Sequence, residues 1–229
     1  MPSNIAQRKQ SLLAAEKKAK QLFSEIEERG WITAGISEID LSDKIFDLAF
    51  KMFGTKQHWH KRIVRSGNNT LLPYSKNPPN RIITDDDILF FDFGPVFENW
   101  EADLGRTYVI GNNREKLRLK SDVETCWNLG KEYFDNDPSM TGATLYEYVC
   151  ELAESRSWEF GNEHCGHLIG KFPHERIQGE KTLNYIHPEN HTPMNAPDQY
   201  GEARDWILEI HFIDPRQKIG GFFEQVLTC

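Results

Sequence analysis

Four acidic residues and one histidine stand out because each places a metal-binding group within or beside a short apolar stretch. They are Asp92, Asp103, His167, Glu209 and Glu224. A single acid in a strand is usually the outward-facing residue of an alternating pattern, but a buried charge without a partner is costly. Four carboxylates and one imidazole together form an oxygen-rich set, which is suited to two divalent ions that share carboxylates. The pattern therefore predicts a dinuclear metal site.

Length, charge and composition indicate what kind of protein carries this site. The chain has 229 residues, which fits one large domain or two small ones, and a net charge of −8. The negative charge argues against binding to nucleic acid, which relies on clustered Lys and Arg. No apolar run is long enough to span a membrane, and the N-terminus lacks a signal pattern. Four cysteines without CxxC spacing indicate reduced thiols, so a cytoplasmic location is expected.

Hydrophobic periodicity predicts two helix pairs, each followed by strands. Helices are expected over residues 4–29, 41–53, 116–133 and 144–155, and strands over residues 62–67, 88–93, 106–110, 206–213 and 221–228. Residues 96–100 are expected to begin the return strand after the break at Gly94-Pro95. This order predicts an α+β fold, in which helices cover one face of a mixed sheet. The candidate ligands fall in strands or at strand ends, so one curved sheet gathers them on its concave face.

Several motifs resemble those of the methionine aminopeptidase, Xaa-Pro aminopeptidase and creatinase family. Residues 91–94 (Phe-Asp-Phe-Gly) and 102–107 (Ala-Asp-Leu-Gly-Arg-Thr) resemble the paired-aspartate signature of that family. Residues 166–170 (Gly-His-Leu-Ile-Gly) resemble its Gly-His-x-x-Gly motif, and residues 173–175 (Pro-His-Glu) the segment that follows it. Glu209 and Glu224 stand where the last two acidic ligands of the family stand. The resemblance covers nearly the whole chain and implies a single catalytic domain over residues 1–229, without the N-terminal domain of longer members.

The resemblance implies a fold, a metal site and a reaction. The fold would be the pita-bread fold, a curved and mainly antiparallel sheet with helices on its outer face and an internal pseudo-twofold repeat. Asp92 would chelate one ion, Asp103 and Glu224 would bridge both, and His167 and Glu209 would hold the other. The activity would be that of a dinuclear metal-dependent hydrolase, with hydroxide formed at the metals attacking a peptide or amide C–N bond. Mn or Fe fits the oxygen-rich set best, while Co and Zn remain open.

The resemblance also suggests residues that contact the substrate. His174 would donate a hydrogen bond to the substrate carbonyl, and Glu209 would take part in catalysis as a ligand. Tyr74 stands where the family usually has a substrate-contacting His. His211 shares a strand face with Glu209 and is either a ligand, a substrate contact or a packed residue. Phe222 replaces an Arg that is common in Xaa-Pro aminopeptidases, which argues against a proline-containing peptide as the substrate. Because of Tyr74 and His211, a small molecule or a specialised dipeptide is as good a substrate candidate as the peptides of a general aminopeptidase.

Two other functions remain open on the sequence. One is a non-peptidase enzyme on the same fold that acts on a small molecule, by amidine hydrolysis or by iron-dependent chemistry with O2. The other is a metal-free binding module on a retired peptidase fold, which would normally have lost some of the ligands. The long first helix would pack either on its own domain or on a second copy of the chain in a homodimer.

Overall fold

The computed structural model describes residues 2–198 and 201–229. The four helices are α1 (Pro2–Glu28), α2 (Glu38–Phe53), α3 (Arg114–Asp135) and α4 (Gly142–Ser155). The strands are β1 (Ile63–Ser66), β2 (Ile88–Phe93), β3 (Val96–Phe97), β4 (Trp100–Glu101), β5 (Leu104–Val109), β6 (Glu159–Phe160), β7 (Gly166–Ile169), β8 (Asp205–Asp214) and β9 (Ile219–Val226). Short 3-10 turns cover Gly67–Leu71 and Lys181–Asn184. Among these residues, no helix combines the length and the apolarity that crossing a membrane requires.

The main sheet has the strand order β1-β2-β5-β9-β8-β6, and β7 also pairs with β8. Every pairing between neighbouring strands of this sheet is antiparallel. The two halves of the chain meet where β5 lies beside β9, and each half supplies a helix pair and its own strands. This arrangement confirms the predicted α+β architecture with a mainly antiparallel sheet and an internal repeat.

The helices cover one face of the sheet through two apolar clusters. In the first half, residues of α1 and α2 pack against β2 and β5, and in the second half α3 and α4 pack against β8 and β9. Alternation along β2 places Phe91 and Phe93 in the first of these clusters. Asp92, between them, therefore faces the opposite side of the sheet. The same alternation places Leu208 and Ile210 in the second cluster and turns Glu209 away from it.

One predicted strand is placed differently in the structure. Residues 96–100 do not return along β2; instead β3 and β4 form a separate two-stranded ribbon, and β5 is the partner of β2. Pro95 has no N–H to donate to the ladder, so pairing with β2 stops there. Glu98 and Asn99 form the tip of the ribbon with φ values of 53° and 68°. Positive φ at both central residues is the conformation of a tight two-residue hairpin.

Candidate metal centre

Three of the predicted ligands lie in one row across the open face of the sheet. Asp92 pairs with Gly105, Gly105 with Glu224, and Glu224 with Glu209. All three acids are buried, and Gly105 contributes no side chain to the row. Like charges directly opposite one another destabilise a sheet unless a counter-charge lies between them. The row therefore requires cations or protons above it.

Asp103 and His167 complete the predicted set above this row. His167 Nε2 lies 3.3 Å from Asp103 Oδ2 and 3.6 Å from Glu224 Oε1. One donor atom from each of these three residues lies within 4.8 Å of the other two. The Nδ1 atom of His167 is 2.9 Å from the carbonyl oxygen of Leu168, which fits donation of its N–H there. That bond leaves the Nε2 lone pair directed at the carboxylates, as in metal-bound histidine.

A sixth side chain, His60, also reaches the carboxylates and was missed by the sequence reasoning. Its Nε2 lies 3.1 Å from Asp103 Oδ1 and 3.5 Å from Asp92 Oδ1. These three residues form a second group whose donor atoms lie within 4.8 Å of one another. The available signal was the run His58-Trp59-His60 just before β1, but a loop has no periodicity that fixes the direction of a side chain.

The protonation of the cluster shows how strongly it attracts positive charge. Burial raises the pKa of Asp92 to about 7 and raises the pKa of Glu224 well above its ordinary value. Burial lowers the pKa of His60, but Asp103 and Asp92 outweigh it and raise that pKa to about 9. Burial opposes ionisation of Asp103, yet His60 and His167 lower its pKa to about 2. Metal ions compete with protons at such groups, so the same cluster favours bound cations.

The donor set fits divalent ions. Glu224 Oε2 is buried and has no hydrogen-bond partner, which is unusual for a carboxylate oxygen inside a protein. Carboxylates in excess over imidazoles, held within a few ångströms of one another, suit hard and intermediate divalent ions. The predicted ligands Asp92, Asp103, His167, Glu209 and Glu224 are all brought to one site.

His174 lies beside this cluster and is held by a buried acid that the sequence reasoning did not identify. Glu101 accepts hydrogen bonds from the backbone N–H of Gly170 and of His174, each at 3.1 Å. Its Oε2 also lies 2.8 Å from His174 Nδ1. The carboxylate therefore fixes the orientation of the ring and leaves Nε2 free to contact a bound molecule. Trp59 packs edge-on against His174 at a centroid distance of 5.6 Å.

Tyr74 and His164 stand at the rim of the site. The Tyr74 hydroxyl accepts a hydrogen bond of 3.2 Å from the Lys61 backbone N–H, and its ring lies 5.8 Å from that of His60. Its hydroxyl proton can therefore be donated to a bound molecule. His164 was not predicted from the sequence. Its Nδ1 lies 2.6 Å from Glu209 Oε1, although the two atoms lack the angles of a hydrogen bond.

His211 and Phe222 lie farther along the same face of the sheet, beside the site rather than in it. Both are buried, and His211 Nε2 lies 2.8 Å from the carbonyl oxygen of Thr70. Phe222 packs against Phe90 with a centroid distance of 5.2 Å. The turn at Gly67–Leu71 covers this part of the sheet, so neither side chain lines the cavity above the acids. The geometry favours the packing role for His211 over the roles of ligand or substrate contact.

The acids and histidines open into a cavity of about 280 Å³. Its lining residues are Trp59, His60, Tyr74, Asp92, Asp103, His164, His167, His174, Arg176, Lys181, Asn184, Tyr185, Glu209 and Glu224. A larger cavity, of about 560 Å³, lies beside the 168–178 segment, and none of the predicted ligands lines it. The smaller cavity is therefore the candidate active site, because chemistry requires the charged groups rather than the larger volume.

Comparisons with known proteins agree with this fold and site. The profile of metallopeptidase family M24 matches residues 10–201. The Xaa-Pro dipeptidase of Pyrococcus horikoshii is 28% identical over 164 residues, which are 71% of this chain and 45% of that protein. The X-Pro aminopeptidase of Thermotoga maritima superimposes with a TM-score of 0.77 at 21% identity, covering 98% of this chain and 61% of that chain. The methionine aminopeptidase of Rickettsia prowazekii gives a TM-score of 0.70 at 14% identity, covering 94% and 90%.

The fold and the matched profile define a metallopeptidase-type domain with the predicted pita-bread architecture. This chain belongs to metallopeptidase family M24. It spans about half the length of the curated Xaa-Pro dipeptidases and aminopeptidases it matches, with 45% to 48% of each covered.

Proposed function

We propose that this chain is a metal-dependent hydrolase that cleaves a C–N bond in a peptide or a small amide. The observation that carries the proposal is the row of Asp92, Glu224 and Glu209 facing Asp103 and His167 over one cavity. Two divalent ions at these residues would make a water acidic enough to supply hydroxide near neutral pH, and would polarise the carbonyl. Mn, Fe, Co and Zn are the candidate ions.

His174 and Tyr74 supply hydrogen bonds to the substrate in this proposal. Glu101 holds Nδ1 of His174, so Nε2 is the ring atom left to bond to the carbonyl oxygen and to the negative charge that develops there. Tyr74 donates its hydroxyl proton while its oxygen accepts from the Lys61 backbone. Glu209 acts as a ligand, and Asn162 Nδ2 lies 3.4 Å from its Oε1. Each role requires only side chains that line or adjoin the cavity.

The cavity suits a short substrate with a carboxylate. Its volume of about 280 Å³ is at the small end of ligand pockets, which favours a dipeptide or a compact amide over a long chain. Arg176 and Lys181 are exposed and line the same cavity as the acids. A free carboxylate placed near them would be attracted while the C–N bond lies over the acidic row.

Hydrolysis of small peptides tests this function. Metal-free protein would be loaded separately with Mn, Fe, Co and Zn and offered dipeptides, including Xaa-Pro dipeptides, beside the same dipeptides with amidated C-termini. We expect metal-dependent release of the two amino acids, with the free-acid forms cleaved faster. The double variant Arg176→Gln with Lys181→Gln should lose this preference and retain its metal. Metal-loaded protein that cleaves neither peptides nor small amides would contradict the proposal, and oxygen uptake in its place would indicate redox chemistry.

We also propose that residues 1–229 fold as a single domain. The two apolar clusters lie under one continuous sheet, and β5 of the first half pairs directly with β9 of the second half. One cooperative unfolding transition in calorimetry would support this, whereas two separate transitions would contradict it.

A further inference from the structure

The side chain of His60 is almost completely enclosed and has a defined orientation, but the ligand set proposed above gives it no role. Its side chain is 8% exposed, and its Nδ1 lies 2.7 Å from the carbonyl oxygen of Lys61. A carbonyl can only accept, so Nδ1 carries the proton in this contact. In the neutral ring, Nε2 then has a lone pair directed at Asp103 Oδ1, 3.1 Å away. Two lone pairs at that separation repel each other unless a cation or a proton lies between them.

The same arrangement occurs at His167, the histidine of the proposed ligand set. Each ring bonds through Nδ1 to the carbonyl oxygen of the residue that follows it, Lys61 or Leu168. Each directs Nε2 at a different oxygen of Asp103. His60 also faces Asp92 as its second carboxylate, and His167 faces Glu224. The two halves of the site are thus built alike, each with one imidazole and one acid beside the shared aspartate.

The position of His60 is built into the surrounding structure. A Cβ atom added to Gly94 would lie 2.3 Å from His60 Nε2 and 2.2 Å from its Cδ2, so the ring occupies space that only glycine leaves open. Trp59 packs edge-on against the ring at a centroid distance of 4.5 Å, and its Nε1–H donates to the Ala102 carbonyl oxygen at 3.0 Å. These contacts hold the imidazole over the carboxylates before any ligand arrives.

We propose that His60 is a direct ligand of the ion held by Asp92 and Asp103, so that each of the two ions is bound by one imidazole. This inference rests on the metal-dependent function proposed above. Without His60, this ion would be bound only by oxygen atoms, from Asp92, Asp103 and Glu224. His60 adds a nitrogen ligand. Nitrogen donors raise the relative affinity for Co and Zn over Mn, following the usual order for divalent ions. The ion bound by His60, Asp92 and Asp103 should therefore be Co2+ in strong preference to Mn2+.

The alternative role for His60 is a hydrogen-bond donor, either to Asp103 or to a substrate beside Tyr74. The two roles predict different effects of a His60 substitution on metal binding. A ligand contributes to the affinity of one ion and to the spectrum of that ion, whereas a donor to the substrate affects only turnover. The test therefore measures metal binding directly, in the full chain and without substrate.

Calorimetric titration of metal-free protein with Co2+ and with Mn2+ is the first measurement. We expect two Co2+ ions per chain in the wild type. His60→Gln should lose one of them or bind it at least about tenfold more weakly, and should keep the other. His167→Gln should weaken the complementary ion. His191→Gln removes an exposed histidine and serves as the matched control, with binding unchanged. The loss in His60→Gln should be larger for Co2+ than for Mn2+.

Proton NMR of the Co2+-loaded wild type gives a second readout that needs no correctly folded variant. A histidine bound to Co2+ through Nε2 shows a strongly shifted Nδ1–H signal that exchanges with water. We expect at least two such signals, and selective 15N labelling of histidine would identify them. His60→Gln should lose one signal and His191→Gln none.

Each outcome decides between the proposals. If the wild type binds two Co2+ ions and His60→Gln binds both with the same affinity and the same shifted signals, His60 is not a ligand and the proposed hydrolase remains. If the wild type binds neither Co2+ nor Mn2+, both the ligand assignment and the metal-dependent function are overturned. If His60→Gln changes only KM or kcat while metal binding is unchanged, His60 serves the substrate and the inference is wrong.

Discussion

His60 and His167 approach the same carboxylate from two sides, one on each of its oxygens. The separations are 3.1 Å to Asp103 Oδ1 and 3.3 Å to Asp103 Oδ2. Asp103 is therefore the residue through which the two halves of the site are connected. A carboxylate shared in this way can bind one ion with each oxygen, which is the geometry expected of a bridging ligand.

Replacing Asp103 with Asn should remove most of the bound metal while preserving the fold. The amide keeps the volume of the side chain but loses the charge and one of the two oxygens. Because the charged Asp103 pairs with His60 and His167, and its lowered pKa means that the ionised form stabilises the fold, the metal-free variant should be folded but less stable than the metal-free wild type. Elemental mass spectrometry and circular dichroism would measure the two effects. Asp85→Asn, at an exposed position, is the matched control, and full metal occupancy in Asp103→Asn would contradict the bridging role.

The metal-free protein should lose stability as the pH rises from about 6.5 to 9. His60 has its pKa raised to about 9 and Asp92 to about 7, so the folded state binds these protons more tightly than the unfolded state does. Such groups stabilise the fold at low pH, and the contribution is lost as the pH rises through the folded-state pKa. For Asp92 the loss is largely complete near pH 7, whereas for His60 it extends to about pH 9.

Thermal unfolding at pH 6.5 and pH 9, with and without Co2+, would measure this effect. We expect the melting temperature of the metal-free protein to fall by at least a few degrees between the two pH values. With bound cations in place of protons, the fall should be much smaller. His60→Gln should flatten the metal-free curve, while His191→Gln should leave it unchanged. Equal falls in the metal-free and metal-loaded proteins would show that the pH dependence arises elsewhere.

Glu101→Gln should lower kcat without lowering metal content. The amide loses the negative charge beside His174 Nδ1 and has one acceptor oxygen in place of two, so it cannot keep all three contacts with Gly170 and His174. Loss of a partner that orients a functional side chain typically costs about 10- to 100-fold in activity. The measurement is kcat and KM on the best-cleaved dipeptide, together with the metal content of the same sample. Glu189→Gln at an exposed position is the control, and an unchanged kcat would show that the contact between Glu101 and His174 does not support catalysis.

The acidic row could be predicted from the sequence, but the position of His60 above it could not. Asp92, Glu209 and Glu224 each interrupt an apolar strand, and the period of two places them on the face opposite the core. His60 lies in a loop, where no period fixes the side chain, so only the folded chain shows its approach to Asp103. The alternation also predicted correctly that His211 shares a face with Glu209. What it could not show is the turn at Gly67–Leu71, which covers that face and leaves His211 bonded to Thr70.

Gly166→Ala should be far more damaging than Gly170→Ala, although both glycines belong to the same Gly-His-x-x-Gly motif. A Cβ at Gly166 would lie 2.1 Å from the carbonyl oxygen of Ile207, and its φ of +152° disfavours a side chain. The nearest atom to a Cβ at Gly170 is 3.4 Å away, an ordinary contact. Because Gly166 pairs with Leu208 on β8, the clash would push His167 away from the acids.

We expect Gly166→Ala to lose about 3 kcal/mol of unfolding free energy, which corresponds to roughly 6–12 °C in melting temperature for a chain of this size. The ion that depends on His167 should be lost at the same time. The ion on the Asp92 side should be retained, since β2 pairs with β1 and β5 whereas Gly166 lies on β7, which pairs with β8. Thermal unfolding and Co2+ titration of the two alanine variants would measure both effects. Two results would contradict this account: a larger effect of Gly170→Ala, or equally weakened binding of both ions in Gly166→Ala. Either would show that the close approach of Gly166 to β8 does not position His167.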